Sequence, residues 1–467
     1  MGSERHLIGE TESLCPVCLD RLPAQRVAEG DDVYLEKHCQ AHGDFRTILW
    51  RGPPAFEAWE GPPRPPSPPL RPSTQTSTGC PFDCGLCPDH RQRTCCVLLE
   101  VTSRCNLRCP FCFAGAGREG REPSLNELEQ SYRRLLEHGG RYNVQLSGGE
   151  PTMRDDLPEV IALGRSLGHA FLQLNTNGLR LAREPGYAQR LQDAGLGCVF
   201  LQFDGVDDAV HQRLRGAALA RLKAEAIERC AEAGLGVVLV PTLVPRVNTE
   251  QLGAIVAYAL ERSPTVRGVH FQPVSYFGRY PRAPIDADRL TLPEVMRGLE
   301  AQTGGMVKAS HLRPPSAENA HCSFSGSFLR TPRGLTPTAT GRASCCGPSA
   351  PTSPPRSTCC PGTEAEAARR VVAQRWSLSS HSASDEVAGV KVDSFDAFLA
   401  QGQQSSFSIS GMAFQDVWNL DLERVRECFI HVVGPGARLI PFCAYNVTDV
   451  LGRALYRPGA DGLRRVS

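Results

Sequence analysis

Residues 105 to 112 read C-N-L-R-C-P-F-C, and no other stretch restricts this chain as much. Cys105, Cys109 and Cys112 stand at the spacing C-x3-C-x2-C, with Phe111 just before the third. Three thiolates so spaced can hold three corners of one iron–sulfur cube and leave the fourth iron without a protein ligand. An iron left open in this way can bind a small molecule, whereas a fourth cysteine would close it. A zinc knuckle is the plainer alternative. Zinc favours paired C-x2-C units and four ligands, which a lone three-cysteine run does not supply.

The flanking sequence alternates strand and helix patterns. Apolar runs at 97–102, 143–147, 171–178, 198–205, 237–244 and 269–275 read as strands, and amphipathic stretches at 156–167, 187–194, 219–233 and 249–262 as helices. Ser124-x-x-Glu127 is a capping box opening a further helix with Leu128, Tyr132, Leu135 and Leu136 on one face, stopped by Gly139-Gly140. Near-continuous apolar strands joined by helices imply a parallel sheet with right-handed crossovers. The expectation is an α/β fold, a partial (β/α)6 TIM-type barrel over 97–285, with chemistry at the C-terminal strand ends. Polar residues fall at those ends: Gly148, Gly149 and Glu150; Asn175, Thr176 and Asn177; Gln202 and Asp204; Gln272. Each alone reads as a cap or turn residue, but together at one barrel mouth they point to cofactor contact.

The chain carries 20 cysteines. Its start lacks a basic segment followed by an apolar one, and it has no run of 18 apolar residues, so a cytosolic protein without a transmembrane segment is expected. Clustered thiols in a reducing compartment bind metal more often than they form disulfides. Residues 1–52 read as a small β-rich module whose ligands are Cys15, Cys18, Cys39 and either His42 or a cysteine from elsewhere, for zinc or mononuclear iron. A Pro-rich linker at 53–79 includes P-P-R-P-P-S-P-P, which favours a semi-rigid extended spacer. In segment 80–96, Cys80, Cys84 and Cys87 repeat the C-x3-C-x2-C spacing, and Cys95 is at hand to close an auxiliary [4Fe-4S] cluster. Residues 286–467 form a C-terminal region with a mobile tract at 331–358. There Cys322, Cys428 and Cys443 are candidate ligands of another cluster, completed by one of the Cys345-Cys346 or Cys359-Cys360 cysteines; those adjacent pairs are also open to a redox role. Cys198 and Cys230 read as small core residues. Lysine plus arginine total 51 against 50 acidic residues, which gives no support to a nucleic-acid or anionic-membrane surface.

Taken together, C-x3-C-x2-C with an aromatic before its last cysteine and S-G-G-E-P some 35 residues on resembles the radical S-adenosylmethionine (SAM) superfamily. The C-P-V-C and K-H-C-Q-A-H-G module, the C-P-F-D-C-G-L-C-P-D-H run and the closing R-L-I-P-F-C-A-Y-N resemble its tetraether lipid synthase branch and bacterial relatives. The stretch from Cys322 to Cys360 departs from that branch and points to a TrsS-like bacterial subgroup. The resemblance implies a SAM-binding [4Fe-4S] cluster on Cys105, Cys109 and Cys112, one or two auxiliary clusters, and an electron donor such as flavodoxin or ferredoxin. It implies that Gly148, Gly149 and Glu150 hold the SAM amino group and that the Phe111 backbone meets the adenine. The activity it implies is reductive cleavage of SAM to a 5′-deoxyadenosyl radical that abstracts hydrogen from an unactivated carbon. Substrates expected from it are a lipid chain undergoing C–C bond formation or, alternatively, a peptide or pterin-like molecule undergoing radical C-methylation or modification. A multi-cluster electron carrier is the competing class, against which the G-G-E loop and the barrel count.

Overall fold

A computed structural model describes residues 5–61, 66–138, 140, 142–315, 317–332, 334–338, 369, 370, 372, 373, 375–377 and 405–457. The cysteines at 345, 346, 359 and 360 lie outside the described residues, as does the tract 331–358 beyond residue 338.

The N-terminal module is a four-stranded antiparallel sheet of β1 (Arg5–Leu14), β2 (Arg21–Glu29), β3 (Asp32–Cys39) and β4 (Gly43–Arg51). After it come β5 (Cys96–Thr102), β6 (Asn143–Gly148), β7 (Leu172–Thr176), β8 (Cys198–Gln202), β9 (Gly236–Val240), the two-residue β10 (Thr242–Leu243) and β11 (Val266–Pro273). β12 (Ser323–Thr331), β13 (Gly334–Pro337), β14 (Ser406–Met412), β15 (Ile430–Val433) and β16 (Leu439–Pro441) complete the described strands.

From β5 onward these strands form one sheet in the order β13-β12-β14-β11-β9-β8-β7-β6-β5-β15-β16, with β10 paired to β11. Its eight neighbours from β14 to β15 run parallel. Among the described residues the outer strands β13 and β16 are antiparallel edges that do not pair with each other, so the barrel is partial. The expected strands and helices of 97–275 are present. Two helices went unread, Leu179–Arg183 and Asp208–Arg215, the second capped by the Asp207 carboxylate accepting from Val210 N. The Ser124 capping box forms as its sequence requires: Glu127 N donates to Ser124 Oγ and Ser124 N to Glu127 Oε2.

Outward-facing strand residues such as Val144, Leu146, Leu172, Leu174, Val199 and Leu201 are buried under the helices. The inward-facing ones at 143, 145, 173, 175 and 202 are amides that line a central cavity. The strands are therefore not apolar on both faces.

Two domain expectations need correction. Residues of the C-terminal region join the barrel, because β14 and β15 extend the parallel sheet at both ends. The tract read as mobile from 331 begins as the ordered β12–β13 hairpin, which runs to residue 337. The linker 53–79 is not simply a spacer. A helix at Phe56–Glu60 buries Phe56 and Trp59; Phe56 stacks on His321 at 3.6 Å, and Trp59 Nε1 donates to Ala320 O. Two aromatics at an i, i+3 spacing outweigh the surrounding prolines because each buries a large apolar area.

Candidate active site

The cysteine loop leaves the end of β5 and is pinned from two sides. Gly149 N donates to Thr102 O, and Glu150 N donates to Arg104 O, which draws the loop against the end of β6. A Cβ at Gly148 would lie 2.1 Å from Thr102 O, and one at Gly149 2.1 Å from Arg104 O. Gly148 also has φ +116°, a conformation that L side chains avoid. The two glycines are thus required by the passing cysteine loop itself. On the other side Cys112 and Arg279 exchange backbone hydrogen bonds, and the Arg279 guanidinium donates to Cys109 O and Ala116 O.

Cys105, Cys109 and Cys112 line one cavity of about 320 Å³ together with Phe111, Gly148, Gly149, Glu150, Asn175, Asn177 and Gln272. Burial pushes the Cys105 thiol up to about 12, with Glu150, Cys109 and Cys112 adding to the rise. Burial also raises Cys109, while Arg215 opposes it. Three thiols on the wall of one cavity, at this spacing, are a donor set that fits an iron–sulfur cluster.

Glu150 is buried and largely committed. Its Oε1 accepts from Thr152 N, Thr152 Oγ1 and Thr176 Oγ1, and its Oε2 accepts from Asn177 N at 2.7 Å. Only Oε2 keeps spare capacity for an ammonium. Asn177 Nδ2 donates to Asn106 Oδ1 inside the cysteine loop, and Asn177 O accepts from Lys223 Nζ at 2.6 Å. Lys223 is fully buried, and desolvation lowers it to about 8.

Asp204 does not line the cavity, contrary to expectation. It forms a bidentate ion pair with Arg215, both contacts at 2.6 Å, and both residues are buried. Burial alone would raise Asp204, but Arg215 overrides it and holds the carboxyl below its usual range. The residue in the cavity is Arg215, which reaches toward Cys109 and Gln202. Sequence reasoning missed it with the helix that carries it, although D-D-A-V-H-Q-R-L-R offers an acidic N-cap and arginines in the last turn.

Cys80, Cys84 and Cys87 are buried and line one small void, walled by His90, Val425 and Arg426. Cys84 is raised by its hydrogen bond to Cys80 and by burial. Cys95 is not with them, which corrects its assignment as fourth ligand. As the residue before β5 it lines the central cavity instead. No fourth thiol lines the small void among the described residues. Cys322, Cys428 and Cys443 lie close enough to influence one another electrostatically. Burial raises all three, and each of Cys428 and Cys443 is raised further by Cys322. Arg424 Nε donates to Cys322 Sγ, and Gln415 N to Cys443 Sγ. The helix Leu422–Arg426 stands between the two thiol groups, with Arg426 at one and Arg424 at the other.

In the N-terminal module the ligand atoms of Cys15, Cys18, Cys39 and His42 all lie within 4.8 Å of one another. The edges Cys18–Cys39 at 4.0 Å, Cys15–His42 at 3.5 Å and Cys39–His42 at 3.3 Å suit a single tetrahedral ion, for which bonds of about 2.0 to 2.3 Å give edges of roughly 3.3 to 3.8 Å. His42, left open by the sequence, completes the set.

Residues 99–259 match the model of the Radical SAM superfamily, and residues 7–51 match that of the HMPTM N-terminal zinc ribbon domain. A 7,8-dihydro-6-hydroxymethylpterin dimethyltransferase of Methanocaldococcus jannaschii is 33% identical, an alignment covering 94% of this chain and 93% of that protein. A probable GTP 3',8-cyclase of Methanococcus maripaludis is 32% identical over 38% of this chain and 59% of its own length. Streptococcus suis SuiB bound to precursor peptide SuiA aligns over 46% of each chain with 18% identity and a TM-score of 0.39, a likeness too slight to argue from.

Proposed function

The chain belongs to the radical SAM superfamily, and we propose that it is a radical C-methylating enzyme acting on a pterin-like heterocycle. The observation that carries this reading is the near full-length likeness to a pterin dimethyltransferase, zinc ribbon included. The cavity supports it physically. Below the cysteine loop its walls carry Asn143, Gln145, Gln173, Asn175, Gln202 and Gln272 beside Phe200 and Trp376. Amides and flat aromatic faces suit a planar ring edged with donors and acceptors. An alkyl chain would leave Gln173 and Asn175 Oδ1, which have no partner among the described residues, still unpaired, so lipid-chain coupling is the poorer fit.

Cys105, Cys109 and Cys112 would hold a [4Fe-4S] cluster, and Oε2 of Glu150 would accept from the SAM ammonium. When bound, the cluster and SAM supply a 5′-deoxyadenosyl radical. Arg215 places a fixed cation next to Cys109, and Arg279 holds the loop so that the three thiolates keep one geometry. Cys15, Cys18, Cys39 and His42 would hold zinc. The two other thiol groups would hold auxiliary clusters, fed by a flavodoxin- or ferredoxin-type donor in the cytoplasm. Among the described residues no helix is long and apolar enough to cross a membrane.

The test is deuterium transfer. Anaerobically reconstituted protein is given dithionite, SAM and deuterated 7,8-dihydro-6-hydroxymethylpterin, and 5′-deoxyadenosine is analysed by mass spectrometry. Label in that product is expected, and Cys109→Ala should yield none of the nucleoside. Unlabelled 5′-deoxyadenosine at an undiminished rate would overturn the pterin reading while leaving the family intact.

A further inference from the structure

The inward faces of β6 and β7 carry amides where a barrel interior ordinarily carries apolar side chains. Gln145 and Gln173 are register partners on these adjacent strands, and Asn175 lies one pleat beyond Gln173. Buried amides are normally paired. Asn175 Nδ2 donates to Gln145 Oε1 at 3.3 Å, which leaves Asn175 Oδ1 without a partner among the described residues. Gln173 is fully buried, and neither its Nε2 nor its Oε1 has a hydrogen-bond partner among the described residues. Gln202, by contrast, is used by Arg215. A glutamine held at a cavity wall with both its donor and its acceptor unspent is a poor structural choice. A leucine would fill the same space without desolvating an amide.

We propose that Gln173, flanked by Gln145 and Asn175, is the specificity-determining residue for the substrate. Its Oε1 accepts from a ring N–H, and its Nε2 donates to the adjacent ring carbonyl of a lactam edge, the N3–H and C4=O of a pterin. Phe200, on the neighbouring strand, lines the same cavity with Trp376 edge-on at 4.8 Å, and offers a face for the ring. This inference rests on the pterin reading and names the side chain that enforces it.

Binding to the reconstituted full-length protein with SAM present tests it. Three ligands are compared: 7,8-dihydro-6-hydroxymethylpterin, the lumazine analogue that exchanges the 2-amino group for oxygen, and the 2,4-diamino analogue that lacks the lactam edge. The wild type should bind the lumazine within a few-fold of the pterin and the diamino compound roughly tenfold more weakly or worse. Gln173→Leu should weaken pterin binding on the order of ten- to a hundredfold and erase that discrimination. Iron and sulfide content and the melting profile report whether the variant is folded. If it is not, the analogue comparison on the wild type decides. Equal binding of the diamino compound, or a folded Gln173→Leu that keeps both affinity and discrimination, overturns the proposal. Failure of the wild type to bind any pterin overturns the pterin reading as well, so the two failures are distinct.

Discussion

At the scale of single residues, the site depends on buried charges that are paired before any cofactor arrives. Asp204 and Arg215 are both almost wholly buried, so removing one partner strands the other. Asp204→Asn should destabilise the protein by about 3 to 5 kcal/mol in urea denaturation, and a compensating Arg215→Gln should return part of that loss. If the two substitutions simply add, the pair is not coupled as described. Asp204 was legible in the sequence as a polar residue at a strand end, but its role was not. Whether a carboxylate faces a cavity or a neighbouring guanidinium depends on a helix eleven positions further on. Cys95 was misjudged for a similar reason: its spacing from Cys87 permits ligation, but the entry of the chain into β5 points it into the central cavity.

At the scale of elements, packing has overridden composition. The run P-P-R-P-P-S-P-P from residue 62 suggested a spacer, yet Trp59, just ahead of it, is 7% exposed in the core. Trp59→Ala should cost about 3 to 5 kcal/mol, seen as a lowered melting temperature, whereas a true spacer would tolerate it. His169, which seats the segment before β7 by bonding Tyr132 O, makes a pH prediction. Burial lowers its pKa below 6.5. The unfolded chain therefore takes up this proton first as pH falls, and stability is lost on acidification from about 6.5 downward. His169→Gln should flatten that part of the stability–pH curve.

At the scale of the whole molecule, the zinc ribbon is tied to the barrel through buried polar contacts. Lys37 Nζ donates to Ser13 Oγ and to Val417 O, and Arg26 bonds Asp421, whose helix separates the two further thiol groups. Stripping the N-terminal metal with a chelator, or Cys39→Ser, should therefore lower the melting temperature of the whole chain rather than release a separate early transition. A distinct low-temperature step with the main transition unchanged would show that the module folds independently.

Local chemistry is what the sequence determined alone: thiol spacings that suit a cluster or an ion, glycines where backbone passes backbone, a capping box, and strands and helices through most of the barrel. These depend on residues a few positions apart, so the linear order carries them. Which face of each strand turns inward, which cysteines share a void, and how β14 and β15 extend the sheet from beyond residue 400 were decided only by the tertiary structure. Contacts between residues hundreds of positions apart are chosen by the burial of the whole, which no local pattern records.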